Sequence, residues 1–392
     1  MHVEAMRKRK DFAIRRQQPS AVRPGRDCSR SAAPATPAVV AYVFAPNGVL
    51  PSVEIDAGKL TRVNYAFANL KDSRMVPGYP SDADNLAALL TLKQKSPTLT
   101  VLVSVGGWLR SDKFSDMAVS QESRSLFIES AVEFLDRNHL DGLDIDWEYP
   151  GMAGAGHIFR PEDKQNYTLL LKELRKRFNR EEKRLHRKLL LTIATGASSQ
   201  FLAHTEMKKV QKYVDTVNLM AYDYYEPTDD RVTGHHAPLF TNPADPKRIS
   251  ADQSVREYLQ AGVPTEKLVL GVPFYGHSWG EVSDQNHGLF QPGKPLSNAY
   301  VSYGDISEGK LDNGFVRYWD PIASVPYLYN AEKRVFVSYE DPESLRLKCN
   351  YIVDHKLAGI MFWEYSSDSS EELLRTIDAC LRASRTSPAS TR

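Results

Sequence analysis

The sequence predicts an α/β fold, a (β/α)8 barrel that carries a small α+β insertion between its seventh and eighth strands. Three observations support this. From Val39 onward, short β-branched runs alternate with amphipathic stretches, giving eight strand candidates. No G-x-G-x-x-G follows the first of them, as a doubly wound dinucleotide-binding sheet would require. And 86 positions separate Pro273, at the end of the seventh candidate, from Gly359, at the start of the eighth, where a βα connection takes ~2 to 6 residues plus a helix.

The candidates, in order, are AVVAYVF around Tyr42, RVNYAFA around Tyr65, TVLVSV ending at Val105, GLDIDW from Gly142, LLLTIA at Leu189 to Ala194, TVNLMAY ending at Tyr222, KLVLGVPF around Val269, and GIMFWEY at Gly359 to Tyr365. Of the helical stretches, PEDKQNYTLLLKELRKRF is the clearest. Its Pro161 suits a first helical position, Glu162 and Asp163 suit the positive end of the helix dipole, and Tyr167, Leu170, Leu171, Leu174 and Phe178 share one face. The excess of the long connection, residues 276–340, is expected to form the insertion, with a strand of its own in KRVFVSYED. Its aromatic residues, Tyr300, Tyr303, Phe315, Tyr318, Trp319, Tyr327 and Tyr329, are expected to divide between the insertion's core and a wall above the barrel mouth.

The 392 residues therefore read as one barrel domain over 38–385, flanked by a tail over 1–37 and a short tail over 386–392. A formal net charge of +1 with 25% charged residues calls for neither a nucleic-acid partner nor an acidic membrane surface. No run approaches ~18 consecutive apolar residues, so no transmembrane helix is expected. Cys28, Cys349 and Cys380 are too few and too scattered for a disulfide framework or a C-x-x-C site. The first 37 residues, rich in Arg, Pro, Ala and Ser, lack the apolar stretch of a signal peptide. They read as a disordered basic tail or as the product of a start codon placed too far upstream, with a basic binding arm as the sharper alternative.

The segment DGLDIDWEYP, Asp141 to Pro150, carries the chemistry. Strand alternation sends Leu143, Ile145 and Trp147 one way and Asp144, Asp146 and Glu148 the other. In a barrel the apolar set meets the helices, so the acids face the interior, with Glu148 last, at the C-terminal rim where barrel active sites lie. Stacked carboxylates in a closed interior raise one another's pKa, which yields a protonated acid at the mouth and partners sharing a proton beneath it. Asp141 has the other parity, precedes a glycine and reads as structural. Two alternatives stay open on these residues alone: a Mg²⁺ or Ca²⁺ cluster, which lacks the EF-hand glycine and loop, and a solvated acidic face, which would not alternate with Leu, Ile and Trp.

DGLDIDWEYP resembles the D-x-x-D-x-D-x-E signature of glycoside hydrolase family 18, the chitinases and their relatives. SVGGW at Ser104 to Trp108 is similar to that family's third-strand S-x-G-G, MAYDY at Met220 to Tyr224 to its sixth-strand M-x-Y-D, and MFWEY to its eighth-strand segment. The resemblance spans Val39 to Leu381 and implies a TIM barrel of the subgroup that carries an α+β insertion. It implies hydrolysis of β-1,4 linkages between N-acetylglucosamine units by a retaining, substrate-assisted mechanism. On this resemblance Glu148 is the general acid, Asp146 stabilises the cyclised intermediate, Asp144 adjusts the charge, and Tyr222 with Asp223 holds the acetamido group. Trp363 forms the floor beneath the sugar, and Tyr42, Phe67, Gly107, Trp108, Tyr149 and Met220 are expected to line the substrate site, with Tyr224 a further candidate. Ser104 and Gly106 support the acids, and Tyr42 is a weaker candidate for the same network. His235 and His236 are taken as loop-structural, and neither metal nor cofactor is expected.

The partner implied is chitin or a chito-oligosaccharide, acted on by a monomer. An endo-β-N-acetylglucosaminidase, a peptidoglycan-type hydrolase and a non-catalytic chitin-binding lectin remain as alternatives, although the full acid set is intact. No carbohydrate-binding module is visible after Val39, which favours soluble oligosaccharides. The family is usually exported, which implies an extracellular or periplasmic site.

Overall fold

The computed structural model describes residues 36–50, 54–311 and 313–386. The expected tails lie outside the described residues except for Thr36, Pro37 and Thr386, and Thr386 closes the last helix, Glu372–Thr386. The chain runs through β1 (Ala38–Phe44), β2 (Arg62–Lys71), the short return strand β3 (Arg74–Val76), β4 (Thr100–Gly106), β5 (Gly142–Asp146), β6 (Leu190–Gly196), β7 (Thr216–Met220) and β8 (Leu268–Pro273). An insertion follows with β9 (Tyr275–Gly280), β10 (Lys294–Ser302), β11 (Phe315–Asp320), β12 (Val325–Asn330) and β13 (Val335–Ser338), before β14 (Gly359–Trp363).

Eight strands in the order β1-β14-β8-β7-β6-β5-β4-β2 pair in parallel, and β1 also pairs with β2, so the sheet closes into a (β/α)8 barrel. Closure leaves no edge strand unpaired and creates two environments, one against the helices and one inside. Leu143, Ile145 and Trp147 join the large outer core with Phe127, Tyr167 and Phe178. Trp147 lies between Phe114, stacked at 5.3 Å, and Tyr167, edge-on at 5.8 Å. The barrel interior holds a much smaller apolar set, with Val40, Tyr42, Val269 and Met361, beside buried polar residues that include Asn64, Ser104, Asp144, Thr192 and Asn218.

Register then sets the levels of the interior. Ser104 stands opposite Asp144, Asp144 opposite Thr192, and Gly106 opposite Asp146. At the opposite end of β5, the Asp141 carboxylate accepts from Lys93 Nζ (2.7 Å) and the Val101 N–H (2.8 Å), which ties β4 to β5 below the barrel.

The helix expected from Pro161 begins at Asp163 and runs to Leu185, well past Phe178. The reason is the Asp163 carboxylate, which accepts from the Arg160 N–H (2.8 Å) and from Ser115 Oγ (2.8 Å) and closes a turn in which Pro161 and Glu162 sit. The apolar face is buried as the spacing requires: Tyr167, Leu170, Leu171, Leu174 and Phe178 are all enclosed.

The insertion is a five-stranded antiparallel sheet in the order β10-β9-β13-β12-β11, and KRVFVSYED contains β13. Of its seven expected aromatics, Tyr300 reaches the cleft described below, while Tyr303, Tyr327 and Tyr329 are buried. One fully buried ion pair follows the sheet: Lys348, on the helix Pro342–Asp354, binds Glu340, which also accepts from Ser344 Oγ (2.5 Å). The same ammonium donates to the Ala237 carbonyl at 2.7 Å, joining three segments at one point. Removing one member leaves an uncompensated charge in a dry site. Lys348→Met is therefore expected to destabilise the protein by ~3–5 kcal/mol in urea unfolding, with Glu340→Leu added to it restoring most of the loss. A loss below ~1 kcal/mol for the single variant would show that the pair does not anchor this junction.

Candidate active site

The C-terminal ends of the barrel strands open into a cleft of about 860 Å³. β5 delivers the acids. Asp144 lies deepest, fully buried, and Asp146 sits one same-face position higher. The strand ends at Asp146, so alternation alone does not carry Glu148 into place. The Glu148 N–H donates to Ser111 Oγ (2.9 Å), and that hydroxyl lies 3.0 Å from the Gly107 carbonyl and 3.2 Å from the Asp146 carbonyl. Ser111 thus clasps the turn that aims Glu148 at the cleft.

Gly106 and Gly107 make this approach possible. A Cβ on Gly106, at φ +113°, would lie 2.1 Å from the Asp146 carbonyl oxygen. One on Gly107, at φ +81°, would lie 2.7 Å from the Phe67 ring. Only glycine fits both the conformation and the space.

Asp144 is solvated by the protein. Tyr42 Oη (2.9 Å) and Ser104 Oγ (2.8 Å) donate to Oδ2, and Thr192 Oγ1 (2.5 Å) and Asn218 Nδ2 (3.3 Å) donate to Oδ1. Burial lifts its pKa, while these hydrogen bonds and the buried Arg62 guanidinium pull it back. On balance its pKa stays raised, as does that of Asp146 above it, which is compatible with the proton expected to be shared between the two. The two acids nearer the mouth are raised as well. Burial pushes Asp146 well above the carboxylate range, and the charges of Glu148 and Asp144 push it further. Burial likewise raises Glu148 to about 7, with Asp223 adding to the rise.

Around the acids, Tyr222 and Asp223 follow β7, Asp223 in a left-handed conformation (φ 57°) that Asp tolerates better than most residues. Tyr222 Oη has a single weak contact, to Met361 Sδ at 4.0 Å. The Asp223 side chain keeps 43% of its surface open to the cleft, yet its Oδ1 accepts from Tyr275 Oη (2.6 Å) and His277 Nε2 (2.8 Å). Although its burial opposes ionisation, the imidazoles of His236 and His277 hold it well below the ordinary range.

Trp363 forms an aromatic floor with Phe67, stacked at 5.5 Å, and with Phe44 and Tyr42 at 5.6 and 5.9 Å. Met220 packs beside this floor, and Trp108 stands on the rim, edge-on to Tyr149 at 6.3 Å. Tyr224 lines the cleft, but its hydroxyl is tied to Ser254 at 2.7 Å. His235 is held by Asp320 (3.1 Å) between Phe290 and Tyr327, whereas His236 turns toward Asp223.

The structure adds residues that sequence reasoning missed. Thr192 and Asn218 were detectable, since each has inward parity on its strand. Phe44, two residues beyond Tyr42 on β1, had the same signal, whereas Ser111, Tyr275 and His277 had none: they reach the site through a turn and through the first strand of the insertion.

Residues 38–368 match the family described as Glycosyl hydrolases family 18. The chain belongs to that family. Among its relatives, Chitinase A1 of Niallia circulans is 41% identical over 325 residues, covering 78% of this chain and 46% of that protein, so this chain spans less than half of that relative's length. Chitotriosidase-1 of Mus musculus is 31% identical over 333 residues, covering 80% and 68%. Among solved structures, a family 18 N-acetylglucosaminidase from Paenibacillus barengoltzii superposes with a TM-score of 0.81 at 40% identity, covering 88% of this chain and 99% of that one. Chitinase ChiA74 from Bacillus thuringiensis gives 0.83 at 35% identity, covering 91% and 71%.

The raised carboxyl pKa has a thermodynamic signature. Folding favours protonated Glu148, so its contribution is complete below its ordinary value near 4.5 and is lost as pH rises through about 7. Relative to Glu148→Gln, wild-type stability is expected to fall by on the order of 3 kcal/mol between pH ~4.5 and ~8, with Asp146 titrating alongside. A difference independent of pH in denaturant unfolding would show that the carboxyl is not raised.

Proposed function

We propose that this protein is a chitinase, hydrolysing β-1,4 linkages between N-acetylglucosamine units of chitin or chito-oligosaccharides with retention, and that the substrate's own acetamido group is the nucleophile. One observation carries the reading. Two groups suited to an amide face the same cleft unsatisfied among the described residues: Asp146 Oδ1 is buried with no hydrogen-bond partner, and Tyr222 Oη has only its contact to a thioether. An acetamido group supplies the N–H for the first and the carbonyl oxygen for the second.

The steps follow from the positions. Glu148, protonated near neutrality, donates its proton to the glycosidic oxygen as the C1–O bond breaks. The acetamido oxygen, held by Tyr222 with Asp223 alongside, bonds to C1 from the other face. Asp146 leaves the proton it shares with Asp144 on that deeper acid and, as a carboxylate, accepts the amide N–H and offsets the positive charge of the cyclised intermediate. Glu148, now a carboxylate, takes a proton from the water that reopens the ring at C1. Two displacements at one carbon give the β-anomer first. Trp363 and Phe67 supply an apolar face for the sugar ring. The chain is taken to act as a monomer.

A second reading has support from the likeness to the Paenibacillus barengoltzii N-acetylglucosaminidase: release of single N-acetylglucosamine residues by the same chemistry. Product analysis on chitotetraose to chitohexaose, beside N-glycan and peptidoglycan controls, separates the readings.

Glu148→Gln is expected to lower kcat ~10² to 10⁴-fold while oligosaccharide binding persists. In the wild type, kcat/KM is expected to fall as pH rises through about 7, because only the protonated acid is competent. Retention of more than about a third of the wild-type rate by the variant would remove Glu148 from the role.

Deacetylated chitosan and cello-oligosaccharides are expected to be inert, a thiazoline analogue to inhibit, and exhaustive chelation to leave activity unchanged. Cleavage of cello-oligosaccharides at a comparable rate, or an initial α-anomer by NMR, would exclude the acetamido mechanism. Loss of activity with EDTA, restored by Mg²⁺ or Ca²⁺, would return the acids to a metal cluster.

A further inference from the structure

Beside the acids, three side chains from separate segments converge on one point. Asp223 follows β7, His236 lies in the loop beyond it, and His277 belongs to β9, which is paired on both sides. The backbone of His236 is pinned, its N–H donating to Ser338 Oγ (2.9 Å) and its carbonyl accepting from the Tyr224 N–H (3.1 Å). Asp223 Oδ1 lies 2.8 Å from His277 Nε2 and 3.6 Å from His236 Nδ1, and one ligand atom from each of the three falls within 4.8 Å of the others. His236 is fully buried; its Nδ1 faces Asp223 just beyond ordinary hydrogen-bond length, and its Nε2 has no hydrogen-bond partner among the described residues. An imidazole enclosed in this way is costly unless something completes it.

We propose that Asp223, His236 and His277 form a two-histidine, one-carboxylate site for a transition-metal dication of the zinc or copper class, with its remaining coordination positions open to the cleft. Imidazole nitrogen with carboxylate oxygen is the donor set such ions take, whereas Mg²⁺ and Ca²⁺ prefer oxygen alone. Bonds of ~2.1 Å in a tetrahedral set place ligand atoms about 3.4 Å apart, and the observed 2.8 and 3.6 Å bracket that spacing. Asp223 and His277 line the cleft, which gives an ion its way in.

Outer support is uneven. Tyr275 Oη orients Asp223 at 2.6 Å, but His277 Nδ1 and the free nitrogen of His236 find no acceptor, so affinity is moderate rather than that of a structural zinc site. An ion here draws Asp223 away from substrate and acts as a brake on turnover rather than as a cofactor. That consequence rests on the role proposed for Asp223, whereas binding itself does not.

Calorimetry of the intact chain, free of added histidine tags and of substrate, is expected to show one Zn²⁺ per chain and no response to Mg²⁺. His236→Gln and His277→Gln are each expected to weaken binding at least about tenfold. Cobalt(II) on the unaltered chain gives a reading that does not depend on how the variants fold: a visible d–d band of a nitrogen-ligated ion, displaced by zinc. Absence of Zn²⁺ binding in the wild type, or binding unchanged in both variants, would overturn the site. Zn²⁺ is also expected to inhibit chito-oligosaccharide hydrolysis reversibly. Binding without inhibition would leave the site standing and sink the role of Asp223.

Discussion

The site depends on burying one carboxyl group inside a closed barrel with both of its oxygens satisfied. Asp144 has no access to water, and an isolated ion there would cost several kcal/mol. Four donors from four strands replace its hydration: Tyr42 on β1, Ser104 on β4, Thr192 on β6 and Asn218 on β7. Because these partners are fixed before any ligand arrives, the acid is held in a prearranged polar environment. The state of the acids above follows from it. Burial raises all three acids, and on Asp146 the charges of Glu148 and Asp144 add to the rise.

Two further features surround that column. The glycine pair Gly106-Gly107 lets β4 approach the Asp146 backbone and leaves room for the Phe67 ring, so the acids and the aromatic floor share one constraint. The insertion does more than cover the mouth. Its first strand begins two residues after β8 and brings Tyr275 and His277 onto Asp223, so the charge of Asp223 depends on a sheet outside the barrel. The Lys348–Glu340 pair secures the far end of that sheet to the helix that leads into β14.

The opposing shifts of Asp223 and Glu148 make chemical sense together. The imidazoles hold Asp223 ionised, and its charge adds to burial in keeping the Glu148 proton on. One acid is thereby reserved for orientation and the other for proton transfer, set by surroundings rather than by residue type. The imidazoles that hold Asp223 in this state are also the donors that make its position hospitable to a dication of the zinc class.

The sequence by itself determined the barrel, the direction of the β5 acids and the apolar helix face. Each follows from a local period, two for a strand and 3.6 for a helix, that burial must respect. Thr192 and Asn218 were within reach of the same rule. The motif similarity identified Glu148, Tyr222 and Trp363, yet it could not say what holds them. Only the tertiary structure decided that Asp144 is saturated by four donors, that Ser111 aims Glu148 after the strand has ended, and that His236 and His277 meet Asp223. Those contacts join residues far apart in the chain through turns and a second sheet. No periodicity encodes the distance between two loops, which emerges only when the barrel closes and sets their roots in place.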